Sequence, residues 1–139
     1  MTAAWRCERG STLLIPSGPK SGQMHLFALV LNPLVVDGHG ERPQVLLACV
    51  TSVPKGLHDT ACLLSAGEHP FVVHDSYVDY RFTRLEPVEH IERCVLAGSF
   101  VPREVCSETL RIRILRGALV SRRISREYRQ LIEAALFAD

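Results

Sequence analysis

The sequence predicts an α+β fold in which a small, mostly antiparallel β-barrel is followed by two helices. Short apolar segments separated by Pro, Gly and Asn fill most of the chain, as is typical of strands and turns. The last third instead spaces its apolar residues by three and four, which is typical of amphipathic helices. Because the strands precede the helices rather than alternate with them, a parallel α/β sheet is not expected.

Length and composition narrow the class of protein further. The chain of 139 residues fits a single domain, which we divide into a barrel core over residues 1–100 and a basic helical pair over 101–139. Apolar residues make up 47%, as in globular proteins, yet no uncharged apolar stretch reaches the roughly 18 residues of a membrane helix. Charged residues near the start also argue against a signal peptide. We therefore expect a soluble, cytoplasmic protein with reduced cysteines and no membrane partner.

Three strands are predicted in the first part of the chain: Ser11–Pro16, His25–Leu31 and Gln44–Ser52. The second and third are almost continuously apolar, which indicates neighbouring central strands covered on both faces. Six of their residues are predicted to lie in the core: Phe27, Leu29, Leu31, Leu46, Leu47 and Val50.

The next segments predict shorter strands at Thr60–Ser65, Pro70–His74 and Tyr77–Phe82, so at least five strands precede Ile91. Leu85–Ile91 contains Pro87, which lacks a backbone donor, and is predicted to be an edge strand or a loop.

Two helices are predicted to follow the strands. Pro102–Arg116 has proline at a favourable first helical position and ends before Gly117. In Ser125–Phe137, Ser125 is the expected N-cap of an amphipathic helix.

Positive charge is concentrated in these helices. Residues 103–129 hold eight arginines against three glutamates, a net charge of +5, so the rest of the chain carries −4. Such an excess attracts phosphates or an acidic partner, and Arg122, Arg123 and Arg126 are the candidate nucleic-acid contacts. The alternative is a solvated helix face, since the overall pI of 7.7 is below that of dedicated nucleic-acid domains.

Generic motifs of enzyme chemistry are missing from the sequence. The six histidines and five cysteines show no HxH, HExxH or CxxC spacing, so no metal site is predicted. There is also no GxSxG nucleophile motif, no GxxxxGK[ST] loop and no GxGxxG turn. No cofactor is predicted.

One polar cluster is predicted at the ends of the central strands. His25 begins the second strand, and Thr51 and Ser52 end the third, so antiparallel pairing would bring an imidazole and two hydroxyls together. Lys20, in the preceding loop of small residues, could add a positive charge. The alternative is that Thr51 and Ser52 bond only to local backbone while His25 is an ordinary surface residue.

The segments Gly10–Pro33 and Val45–Ser52 resemble the PemK/MazF toxin family, in which a first strand leads through a small-residue loop into a strand ending at a proline turn. A further strand then ends in a Thr/Ser pair. The resemblance implies an SH3-like barrel that forms a homodimer, is bound by an antitoxin protein, and cuts single-stranded RNA without a metal. It also implies that an arginine beginning the second strand and a hydroxyl ending the third are the key residues.

This chain has Leu26-Phe27 where the family pattern has Arg-Pro, while Thr51 and Ser52 stand at the hydroxyl position. Leucine cannot neutralise charge on a reacting phosphate, and losing one such donor typically slows a reaction about 10²–10³-fold. The first interpretation is therefore a toxin-like barrel, of a toxin–antitoxin type or from a mobile element, in which native RNA cleavage is not expected, with His25, Thr51 and Ser52 as candidate catalytic residues. Two alternatives stay open: a non-enzymatic module that binds RNA, DNA or protein through the arginine-rich helices, and a metal-independent endoribonuclease with relocated catalytic groups.

Overall fold

The computed structural model describes residues 5–137. Within them, no helix is long and apolar enough to cross a membrane. The strands are β1 (Thr12–Pro16), β2 (Met24–Leu29), β3 (Gln44–Ser52), β4 (Leu63–Leu64), β5 (Ser76–Val78), β6 (Arg84–Pro87) and β7 (Val101–Arg103). The α-helices are α1 (Val88–Ala97), α2 (Glu108–Val120) and α3 (Arg126–Leu136), and a short 3₁₀ helix spans Tyr80–Phe82.

All strand pairs are antiparallel, in the order β4-β5-β3-β2-β1-β7, with β6 paired to β3. One edge of β3 pairs with β2, whereas its other edge is shared, because β6 pairs with residues 44–47 and β5 with residues 50–52. The α+β class is therefore confirmed. The sheet is open rather than a closed barrel, since the outermost strands β4 and β7 are not paired with each other in the described chain.

Both faces of the sheet are covered, which explains the continuous apolar sequence of β3. On one face, Leu26, Leu46 and Val50 pack in a cluster with residues of α2 and α3. On the other face, Phe27 and Leu47 pack in a cluster with Ile91 of α1 and Phe100. Neighbouring residues of one strand belong to different clusters, because successive side chains of a strand point to opposite faces of the sheet.

The strongest patterns of the sequence are confirmed. The three long strands lie where they were predicted, to within two residues at each end. All six predicted core residues are buried, and Ser125 is the N-cap of α3, where its side chain accepts a hydrogen bond from the Tyr128 backbone N–H.

The predictions for the middle of the chain are partly wrong. Pro87 ends β6 and is the N-cap of α1, so a helix begins at Val88 where an edge strand or loop was predicted. Residues 70–74 form a turn rather than a strand, because the His69 ring accepts a hydrogen bond from the Phe71 N–H (3.0 Å) and bends the backbone there. Within Thr60–Ser65, only Leu63–Leu64 is strand.

The first C-terminal helix also begins and ends later than predicted. Pro102 lies in β7, paired with Leu13, and α2 begins after Ser107, whose hydroxyl accepts from the Leu110 N–H. Gly117 lies inside α2 instead of after its end, for a packing reason. The Tyr80 hydroxyl, which donates to the Ile114 carbonyl (2.7 Å), occupies the space that a Cβ at Gly117 would need.

This packing gives a testable prediction for Gly117→Ala. Alanine normally stabilises a helix interior by about 1 kcal/mol relative to glycine, but here the added methyl would overlap the Tyr80 hydroxyl and lie 3.0 Å from the Ala61 carbonyl oxygen. We expect a destabilisation of about 1–3 kcal/mol in urea unfolding.

Tyr80→Phe supplies the matched background, because it removes the hydroxyl and keeps the ring. The cost of Gly117→Ala should be smaller in Tyr80→Phe than in the native chain. An equal cost in both backgrounds, or a stabilised Gly117→Ala protein, would show that the hydroxyl does not select glycine.

Candidate functional site

A cleft of about 570 Å³ opens on the α1 side of the sheet, where β2 begins and β3 ends. Phe27 is paired with Cys49, and Thr51 is paired with Tyr77 on the neighbouring strand β5. Because side chains alternate between faces, His25, Thr51 and Tyr77 share the face that carries Phe27 and Cys49. All five residues line the cleft, so this strand register explains how the cleft forms.

His25 is held in a defined orientation by Ser17. The Ser17 hydroxyl lies 3.1 Å from the Ile15 carbonyl oxygen and 2.7 Å from His25 Nδ1, and when its one proton is donated to Ile15, Nδ1 is the donor to Ser17 Oγ. In the neutral ring this leaves the lone pair on Nε2. His25 therefore presents a proton acceptor on a ring that lines the cleft.

A buried carboxylate fixes one side of the cleft. Asp79 Oδ1 accepts hydrogen bonds from Arg81 N (3.2 Å) and Nε (2.9 Å), and Oδ2 accepts from Arg81 Nη2 (2.7 Å) and the Tyr77 hydroxyl (3.2 Å). Burial alone would raise the pKa of Asp79, but the hydrogen bonds and charge of Arg81 outweigh it and lower that pKa. Asp79 is therefore an ionised anchor that orients Arg81 and Tyr77, while half of the Arg81 side chain stays exposed.

Arg84 is the second guanidinium that lines the cleft. Its Cζ lies 5.5 Å from the centre of the Phe27 ring, a cation–π arrangement, and its Nη2 lies 3.6 Å from Glu86 Oε2. Glu86 is shared with His90, whose Nε2 lies 3.5 Å away. A guanidinium has five N–H donors, and this loose ion pair leaves most of those of Arg84 free for an anion.

Cys49 also lines the cleft, but its thiol is unsuited to nucleophilic attack. Burial raises the pKa of Cys49 to about 12, and the charge of Asp79 acts in the same direction. The thiolate, which is the reactive form, is therefore scarce at neutral pH. The polar chemistry of the cleft rests on the imidazole, the hydroxyls and the guanidiniums.

The predicted catalytic residues His25, Thr51 and Ser52 all line this cleft. Lys20 lies in the adjoining loop but is not one of the lining residues. Arg122 and Arg123 line a separate depression, and Arg126 is the exposed first residue of α3 outside both linings.

Sequence reasoning missed Asp79, Arg81 and Arg84. A signal for the first two existed, because Tyr77, Asp79 and Arg81 alternate along a predicted strand and such spacing places them on one face. Nothing in the sequence places Arg84 beside His25, since that proximity depends on β6 pairing with β3.

Leu26, at the arginine position of the toxin pattern, does not line this cleft, but it lines an adjoining pocket of about 350 Å³ with His25, Thr51 and Ser52. It is 2% exposed and packs in the cluster under α2 and α3, opposite Val50. A positive charge for the cleft must therefore come from elsewhere, and Arg81 and Arg84 are the ones that line it.

Comparisons of the chain with protein-family models, with curated proteins and with solved structures found no match. Across residues 5–137, no group of three or more His, Cys, Asp or Glu side chains is arranged to hold a metal ion.

The buried Asp79 gives a pH-dependent prediction. Because its pKa is lowered in the folded state, its stabilising contribution is present at neutral pH and lost as the pH falls below about 4. We expect Asp79→Asn to cost about 2 kcal/mol of unfolding free energy at pH 7, with the difference from the native chain narrowing toward pH 3.

Urea unfolding at several pH values measures this difference. Asp37→Asn is the control, because Asp37 is exposed and takes part in none of the ion pairs found within residues 5–137. A cost for Asp79→Asn that did not change with pH would contradict the role of the ionised carboxylate.

Proposed function

We propose that this chain is a PemK/MazF-like protein of the toxin–antitoxin type whose cleft binds single-stranded RNA and cleaves it without a metal. The observation that carries the proposal is the presence of His25, Thr51 and Arg84 in one cleft. An SH3-like strand arrangement within this open sheet, a homodimer, an antitoxin partner and a cytoplasmic location belong to the same proposal, because the resemblance implies them or the composition predicts them.

The chemistry needs only groups that line the cleft and a hydroxyl of the substrate. His25 Nε2 accepts the proton of the RNA 2′-hydroxyl as the 2′-oxygen bonds to the neighbouring phosphorus. The bond from phosphorus to the 5′-oxygen breaks as water donates a proton to that oxygen, and the hydroxide left behind takes the proton from His25 Nε2. The products are a 2′,3′-cyclic phosphate and a 5′-hydroxyl, with no change of oxidation state.

Charge builds up on the phosphate oxygens during this step, and the arginines oppose it. Arg84 is available for this role because its ion pair with Glu86 is loose, at 3.6 Å. Arg81 is tied to Asp79 by Nε and Nη2, which leaves both N–H groups of Nη1 and the second N–H of Nη2 for the substrate. The Thr51 hydroxyl can donate to a phosphate oxygen from the end of β3. Arg84 would thereby replace the arginine missing at position 26, as the interpretation with relocated catalytic groups requires.

Cleavage of a labelled single-stranded RNA in EDTA tests the proposal. We expect the native chain to cut RNA but not DNA of the same sequence, because DNA lacks the 2′-hydroxyl. His25→Ala should slow cleavage about 10²–10⁴-fold, and Arg84→Ala about 10²–10³-fold.

Arg116→Ala is the matched control, because Arg116 is an exposed arginine of α2, which packs on the opposite face of the sheet. It should cleave like the native chain. Cleavage by the His25→Ala and Arg84→Ala proteins at the native rate would refute the assignment. Binding of RNA without any cleavage would favour the non-enzymatic module instead.

Leu26→Arg tests whether an arginine at the position used by the toxin family would contribute to cleavage in this chain. Leu26 is 2% exposed and packs in the cluster under α2 and α3, so we expect a guanidinium there to lower the unfolding free energy by at least about 3 kcal/mol with no gain in cleavage. Leu96→Arg is the control, since Leu96 is 90% exposed on α1. A folded Leu26→Arg protein with faster cleavage would mean that position 26 reaches the substrate.

A further inference from the structure

A second depression of about 440 Å³ lies next to the cleft. His58, Asp59, Arg122 and Arg123 are among its lining residues. An aromatic contact links the two hollows: the ring of His58, which lines the depression, lies 5.1 Å, centre to centre, from the ring of Tyr77, which lines the cleft.

The depression is built by a polar clamp between two loops. Asp59 Oδ2 accepts a hydrogen bond from the Ser121 hydroxyl (2.6 Å), and Oδ1 accepts one from the Ala61 N–H (2.9 Å). Ser121 Oγ in turn accepts from the Arg123 N–H (3.1 Å). These bonds join the loop after β3 to the turn between α2 and α3, and so fix the backbone of Arg123 beside His58.

The charges of the depression favour an anion. Arg122 and Arg123 are exposed, and neither belongs to an ion pair within the described part of the chain. Asp59 is the opposing charge, but both of its carboxylate oxygens already accept hydrogen bonds.

We propose that the depression is a second phosphate subsite for the same RNA strand, in which Arg122 and Arg123 bind the backbone one or more nucleotides away from His25 and His58 stacks against a base. The proposal rests on the RNA-binding function of the cleft. Single-stranded nucleic acid is bound in this way where a basic groove adjoins ring systems on which bases stack. An acidic protein would also be attracted by two arginines, but only an RNA strand bound in the cleft makes use of the His58–Tyr77 contact between the cleft and the depression.

Binding of two ligands of different length tests the subsite. A 2′-O-methyl RNA octamer, which cannot be cleaved by its own 2′-oxygen, reaches both hollows, whereas a dinucleoside phosphate fills only the cleft. Affinities for both are measured by fluorescence anisotropy and competition, over a range of salt concentrations. Circular dichroism checks that each variant is folded.

We expect Arg122→Ala/Arg123→Ala to raise the Kd of the octamer about 10-fold and to reduce the slope of log affinity against log salt by about 1. The dinucleoside phosphate should bind as it does to the native chain. The control is Arg93→Ala/Arg116→Ala, which removes the same charge from two exposed arginines that line neither hollow. Arg84→Ala should weaken the binding of both ligands.

Four outcomes would overturn the subsite. If Arg122→Ala/Arg123→Ala lowers the affinity for the octamer no more than the control variant does, the subsite is wrong but the proposed function of the cleft is unaffected. Dependence on Arg122 and Arg123 but not on Arg84 would make the depression a nucleic-acid site separate from the cleft. Equal binding of polyglutamate through the same arginines would indicate an acidic protein partner. Failure of the native chain to bind the octamer would overturn the subsite and the proposed function together.

Discussion

The shared edge of β3 is the constraint on which the rest of this structure depends. β3 is buried on both faces. One of its edges pairs with β2 over residues 47–50, whereas its other edge has to accommodate two partners, β5 near its end and β6 near its start. The chain therefore has to leave the sheet between these partners, and it does so through the 3₁₀ helix. That excursion lies at the cleft, so the residues that make it, Asp79 to Arg84, supply the two guanidiniums opposite His25.

The same excursion ties the cleft to the helices on the other face of the sheet. Asp79 faces the cleft, whereas the next residue, Tyr80, sends its hydroxyl to the Ile114 carbonyl of α2. Asp79 then caps the 3₁₀ helix by accepting from the Arg81 N–H, which sets the direction of the Arg81 side chain. The charged wall of the cleft is thus positioned by packing on the far side of the sheet, and Gly117 is part of that packing because it leaves room for the Tyr80 hydroxyl.

The sequence allowed the long strands, six core residues and the last helix to be predicted, since each of these follows from a local pattern. Local reasoning failed at the prolines and at Gly117. Pro87 was predicted in an edge strand or loop but directly precedes α1, and Pro102 was predicted at the start of a helix but lies in β7. Proline is compatible with a helix start, a strand end and an edge strand alike. Convergence of His25 and Thr51 followed from antiparallel pairing, but the position of Arg84 depends on which strand occupies the second edge of β3. No local sequence pattern shows which strand pairs with that edge, and none shows that the sheet stays open.

The short outer strands limit how copies of this chain can associate. β4 has two residues, and β7 has three, one of which is Pro102 and has no N–H to donate. Neither strand offers another chain a useful row of backbone hydrogen bonds, which is how natural sheets suppress intermolecular strand addition and fibre growth. Two copies joined at β4 or β7 would therefore be held by side chains of the faces and loops, and the strength and specificity of that contact could change by surface substitution without disturbing the sheet.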